Sequence, residues 1–174
     1  MRYSRIKELQ PEWERVKERF TQWWQGRLEE GPLIRLVGVE KEKTVEVPQA
    51  PDYRTLHADP EYAHRRVMAY NAGRHYLADS FPHGNVNLGP GSLAIYLGAE
   101  PVFEPSTVWY KECVESWQDH DNLVINPESY WWRTHLEAAE KQVELSEGRY
   151  LVNIPDIIEN IDIHEEELVV VSPD

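Results

Sequence analysis

The stretch NPESYWWRTHLEAAEKQVELSEGRYLVNIP, residues 126–155, predicts a helix followed by a strand. Asn126 suits a helix cap, Pro127 suits a first turn, and Glu128 favours the positive end of the helix. Trp132, Leu136, Ala139 and Val143 follow at spacings of four, three and four, one apolar stripe on a helical period. Gly148 is a natural left-handed stop. Arg149-Tyr150-Leu151-Val152-Asn153-Ile154 then reads as a strand, and Pro155 ends it.

The same grammar recurs upstream. Asp59-Pro60-Glu61 starts a helix expected over about 60–79, with Ala63, Val67, Tyr70 and Leu77 near one face. Pro11 opens an earlier helix, in which Trp13, Val16, Phe20 and Trp24 recur at three, four and four. Gly26 and Gly31 are its stops. Pro32 leads into Leu33-Ile34-Arg35-Leu36-Val37-Gly38-Val39, which reads as the first strand. Residues 40–58, with Pro48 and Pro51, read as loop. A second strand is expected around 85–88, Gly89-Pro90-Gly91 is a tight turn, and Ser92–Leu97 is a short helix ended by Gly98. Val102-Phe103-Glu104 and Thr107-Val108-Trp109-Tyr110 are minor strands. Helices alternating with strands predict an α/β fold with a parallel sheet and crossover connections.

Composition narrows the function classes. In 174 residues, 18 Lys+Arg face 31 Asp+Glu, a formal charge of −13. Such a surface repels phosphate backbones and anionic membranes, so no nucleic-acid and no membrane partner is expected. A local basic pocket for a small anion stays compatible with it. The single cysteine, Cys113, excludes a disulfide within one chain and the four-cysteine zinc patterns. The first residues, Met1-Arg2-Tyr3-Ser4-Arg5, lack an apolar signal region, and no apolar run approaches the ~20 residues of a membrane span, which together imply a cytoplasmic protein. Seven Trp, nine Tyr and three Phe point to a packed interior or a ligand-facing cleft rather than disorder.

Leu88-Gly89-Pro90-Gly91-Ser92-Leu93-Ala94, continuing to Leu97-Gly98-Ala99-Glu100-Pro101, resembles the uroporphyrinogen decarboxylase superfamily, in particular its decarboxylase-like branch. Thr107-Val108-Trp109-Tyr110, Tyr150-Leu151-Val152-Asn153-Ile154-Pro155-Asp156 and Glu159-Asn160-Ile161-Asp162 are similar to that branch as well. The resemblance covers most of residues 11–163 and implies the N-terminal part of a (β/α)8 TIM-type barrel, about three strands plus leading helices, incomplete by itself. Residues 1–163 are then the barrel portion and 164–174 an atypical tail. Barrels of this kind need ~250 residues. The resemblance therefore implies an enzyme that is decarboxylase-like or corrinoid-methyltransferase-like only as part of a longer chain. Its partner would be a small-molecule substrate, and an open strand edge would invite self-association. No cofactor is expected within this chain, whereas a full-length homologue could hold zinc. Two departures argue against authentic porphyrinogen decarboxylation. Val39-Glu40-Lys41-Glu42-Lys43 has no arginine where the family has an arginine-rich loop, and Gly89 lies near the position of the family's essential aspartate.

In such barrels chemistry sits at the C-terminal ends of strands. That rule nominates Asn87, Asp156 and Glu159 as pocket residues. The bland alternative has Asp156 capping a helix and Glu159 facing water. Gly89 and Gly91 could offer backbone N–H groups to an anion, although Pro90 removes one donor and a purely structural turn is favoured. Trp109 is the best aromatic candidate for a pocket, while Trp24 and Trp132 fall on apolar helix faces. His57, His64, His75 and His83 make no metal-binding spacing. The competing reading is a non-catalytic binding or structural module that associates through its aromatic surface and strand edge.

Overall fold

A computed structural model describes residues 3–86, 88–114 and 124–155. The tail at 164–174 lies outside the described residues, as do Asn87, Asp156 and Glu159. The chain forms a mixed α/β structure of two compact units, one comprising Met1–Val86 with Ala138–Ile154 and the other Asn87–Glu137 with Pro155–Asp174. The helices are α1 (Trp13–Trp24), α2 (Tyr53–Ala58), α3 (Pro60–Asn71), α4 (Ser92–Leu97) and α5 (Tyr130–Ser146). The strands are β1 (Arg35–Val39), β2 (Arg74–Ala78), β3 (His83–Asn85), β4 (Glu100–Phe103), β5 (Val108–Lys111) and β6 (Leu151–Asn153).

Among the described residues three two-stranded sheets form: β1–β2 antiparallel, β4–β5 antiparallel and β3–β6 parallel. Among the described residues no barrel closes. Among the described residues the parallel arrangement expected for all main strands holds for β3 and β6 alone, and these sit at 83–85 and 151–153 rather than 85–88 and 149–154. The strand expected at 33–39 forms over 35–39 but pairs with a neighbour that periodicity assigns to a helix.

That neighbour is the main correction. The helix expected over 60–79 stops at Asn71, and residues 74–78 form β2. Gly73 makes the break, with φ of +71°. A Cβ there would lie 2.6 Å from the Glu40 carbonyl oxygen, so only glycine allows this close approach. The start of α3 follows the expected logic: the Asp59 carboxylate accepts the Tyr62 N–H and Pro60 occupies the first helical position. The loop expected at 40–58 contains α2, capped by Asp52 accepting the Thr55 N–H at 2.7 Å.

Two helical faces also differ from the apolar stripes. Trp13 and Val16 of α1 are buried with Ile6, and Tyr3, Phe20, Phe81 and Leu151 pack around them. Trp24, at the helix end, is 83% exposed. In α5 the buried positions are His135, Ala138, Gln142 and Ser146, while Leu136 is exposed. This face is rotated one residue from the apolar stripe; His135 and Ser146 on it have partners, whereas the buried Gln142 Nε2 has none among the described residues. Tyr96 Oη lies 2.6 Å from His135 Nδ1, and Ser146 Oγ donates to the Val143 carbonyl. Ser129, three residues after Asn126, offers its Oγ to the Trp132 N–H at 3.4 Å.

The first unit is tied together by Asp79, which is 4% exposed. Its carboxylate accepts Arg19 Nε at 2.7 Å and the Ile34 N–H at 3.0 Å. Arg19 also donates to the Pro32 carbonyl at 3.2 Å, so α1, the entry to β1 and the exit from β2 share one polar knot. Burial alone would raise the Asp79 carboxyl. The Arg19 and Ile34 donors and the nearby Arg15 charge outweigh burial and hold it below the ordinary carboxylate range. The turn into this knot places Ala78 at φ +52°, with its carbonyl accepting from Gln10 Nε2 and Arg15 Nη2.

Breaking the knot leaves Arg19 with only the exposed Glu30 carboxylate, 3.4 Å away, as a counter-charge. Asp79→Asn is expected to cost about 3 kcal/mol in urea unfolding, whereas replacing Arg19 and Asp79 together by Met and Leu costs less than the single change. Because the folded carboxyl is depressed, its contribution is full above the ordinary value of ~3.9 and is lost as pH falls through the folded value. Wild-type stability should therefore drop in acid more steeply than that of the Met/Leu pair.

Candidate functional site

The parallel ladder pairs His83 with Leu151, Gly84 with Val152, and Asn85 with Asn153. Strand periodicity puts His83 and Asn85 on one face and turns the buried Gly84 to the other. Asn153 lies beside Asn85 at the C-terminal ends of both strands. Its Nδ2 lies 2.9 Å from Asn85 Oδ1 and 3.1 Å from His83 Nδ1. Arg35, at the start of β1, places Nη2 2.9 Å from His83 Nε2. Four polar side chains from three strands thus form one connected face.

Proton counting fixes the imidazole state. A guanidinium only donates, so Nε2 must accept, and a neutral ring then carries its proton on Nδ1. Nδ1–H needs an acceptor, which an amide oxygen of the adjacent Asn85–Asn153 pair supplies. Burial, then the Arg35 charge, hold the His83 imidazole below the ordinary histidine range. At neutral pH the face therefore carries an uncharged base beside a fixed cation. Among the described residues Arg35 makes no second hydrogen bond, so the rest of its donor fork is open to an anion.

The expected site residues are distributed differently. Asn87 follows β3 by two residues and Asp156 follows β6 by three, but both, with Glu159, lie outside the described residues. Gly89 is buried with φ of +107°, and a Cβ there would lie 2.7 Å from Val108 Cβ and collide with Tyr110 Oη. Its carbonyl accepts Ser92 Oγ at 3.0 Å. Close packing and backbone conformation account for this glycine. Gly91 is buried just before α4. Trp109 stands in β5, opposite Val102, and is 62% exposed. Gly89, Gly91 and Trp109 belong to the second unit and make up its turn and hairpin.

Sequence reasoning missed Arg35, His83, Asn85 and Asn153 as a set. The local signal is present, because His83 and Asn85 are two apart and Asn153 sits in a strand. The pairing register that joins them is not local. Among the described residues no group of three or more His, Cys, Asp or Glu is placed to hold a metal ion. Nor is any helix there long and apolar enough to cross a membrane. Comparison with protein-family models, curated proteins and solved structures finds no match to this chain.

The proton assignment has a direct readout. In an NMR titration His83 should carry its neutral proton on Nδ1 and titrate below ~6.5. Arg35→Gln should move its midpoint upward, because the imidazolium no longer faces a neighbouring positive charge. A downward or absent shift contradicts the assignment.

Proposed function

We propose that this chain is the N-terminal portion of a uroporphyrinogen decarboxylase-like barrel enzyme, other than an authentic uroporphyrinogen decarboxylase. In this reading β3 and β6 are neighbouring barrel strands, and the face of Arg35, His83, Asn85 and Asn153 holds an acidic group of a small substrate. One observation carries it: β3 and β6 pair in parallel register and bring Asn85 and Asn153 together at their C-terminal ends. Reactants in parallel barrels sit at that end of the strands. The supporting chemistry is the open donor fork of Arg35 next to a neutral imidazole.

The roles follow from these groups. Arg35 anchors a carboxylate. His83 accepts a proton at Nε2 once a bound anion draws the guanidinium away. Asn153 and Asn85 hold the ring orientation through Nδ1. About three strands are far from the eight of a closed barrel, so the chain is inactive alone under this reading. Zinc belongs to the methyltransferase branch of the resemblance. The described residues contain no ligand set for it, and no step here runs through a metal.

A non-catalytic binding module is the second reading. It is favoured by Leu36 and Leu77, which face each other across the β1–β2 ladder and are 53% and 47% exposed.

Glutarate, a simple dicarboxylate, separates the two. Titrated into the full chain with labelled histidine, it should shift the His83 resonances saturably and raise the His83 midpoint as the Arg35 charge is offset. Arg35→Gln should weaken the response about tenfold or more, the loss of a charged hydrogen bond. No saturable response, or an unchanged response in Arg35→Gln, overturns the proposal and leaves the module reading.

A further inference from the structure

The chain before α2 lies along α3 and leaves a cleft of about 360 Å³. Val45, Pro48, Met68 and Ala69 line it with apolar surface, and Glu46, His64 and Arg65 supply its polar groups. The volume is at the lower end for small-molecule sites. All seven residues belong to the first unit, on α3 and on the chain between β1 and α2.

The wall and floor are fixed by hydrogen bonds. Tyr62, 4% exposed, donates its hydroxyl to the Pro48 carbonyl at 3.0 Å and so pins the 45–48 segment to α3. Tyr150 is fully buried, and its hydroxyl lies 3.0 Å from His64 Nδ1. Burial pushes the Tyr150 phenol up to about 12, so it stays protonated and donates to Nδ1. A neutral His64 then carries its proton on Nε2, on the side of the ring away from Tyr150. Burial, then the Arg149 charge, lower the His64 imidazole and keep that neutral form at pH 7.

The charges at the cleft are unspent. Arg65 stacks over the Tyr62 ring at 5.6 Å but makes no hydrogen bond or ion pair among the described residues. Glu46 likewise has no ion-pair partner among them. A simple carboxylate would meet Glu46 and a simple amine would meet Arg65, so each is opposed by one of the two groups. A molecule carrying both charges is opposed by neither.

We propose that this cleft binds a small zwitterion with an apolar side chain, of the α-amino-acid class. Arg65 and the His64 Nε2–H take the carboxylate, Glu46 takes the ammonium group, and Val45, Pro48, Met68 and Ala69 cover the side chain. Charge complementarity selects the ligand class, and the apolar lining selects the side chain.

The test is calorimetric titration of the full chain with three probes of matched carbon skeleton: leucine, 4-methylpentanoate and 3-methylbutylamine. Leucine is expected to bind saturably and at least tenfold more tightly than either single-charge analogue. Arg65→Gln and Glu46→Gln change exposed groups, leave the fold intact by circular dichroism, and should each weaken leucine at least fivefold. The Arg65 variant should also bring the amine nearer to leucine in affinity. Failure of leucine to bind, equal binding by either analogue, or indifference to both variants overturns the proposal. Binding of 4-methylpentanoate alone would reassign the cleft to apolar acids and would also overturn it.

Discussion

Gly84 is where three parts of the first unit converge on one backbone position. A Cβ there would lie 2.8 Å from Gln142 Nε2 of α5, 2.9 Å from Tyr150 Cε2 and 2.9 Å from Val67 Cγ2 of α3. Such distances are below normal contact, so the site demands space rather than an unusual φ. With hydrogen in place of a methyl group, α3 and the end of α5 can lie against the buried face of β3. The parallel ladder with β6 then forms. The polar face of β3 and the position of His64 both adjoin that packing. His83 and Asn85, on either side of Gly84, are turned to the opposite face, where Asn153 and Arg35 meet them. Tyr150, pressed against Gly84, holds His64 at the edge of the α3 cleft.

The two polar systems of this unit do different work. The Arg19–Asp79 pair is buried, bidentate and supplemented by backbone donors and acceptors, so it fixes where the β1–β2 hairpin stands against α1. The Arg35–His83 contact is exposed and leaves donors over. Buried pairs of the first kind are costly to break and define geometry. Exposed pairs of the second kind contribute little to stability and are open to exchange with a ligand. Burial thus separates two arginines of the same chain, Arg19 locked in the architecture and Arg35 left with donors at the surface.

Much of the fold was legible. Asp59 and Pro60 announce α3, the Trp13–Val16 spacing announces the core of α1, and Gly98 ends α4 as expected. The failures share a cause. Residues 74–78 continue a plausible helical pattern, and only the tight approach of Gly73 to Glu40 turns them into β2. The buried face of α5 runs through His135 and Gln142 rather than through Leu136, and the Tyr96 hydroxyl that partners His135 is a tertiary contact that periodicity does not show. Asp52 and Thr55 carried a capping signal for α2, hidden between two prolines in what composition marks as loop. The site was less legible still, since the His83–Asn85–Asn153 cluster depends on a register between strands 68 residues apart. The barrel-end rule nominates Asn87 and Asp156, which follow β3 and β6 in sequence and lie outside the described residues.

The parallel β3–β6 ladder is the claim on which the functional account stands, and interstrand nuclear Overhauser contacts measure it most directly. In the full chain, labelled with ¹⁵N and ¹³C, cross-strand contacts should join His83 with Leu151, Gly84 with Val152 and Asn85 with Asn153, all running in the same direction. An antiparallel pattern between these segments, or no contacts between them in a folded sample, would contradict the account.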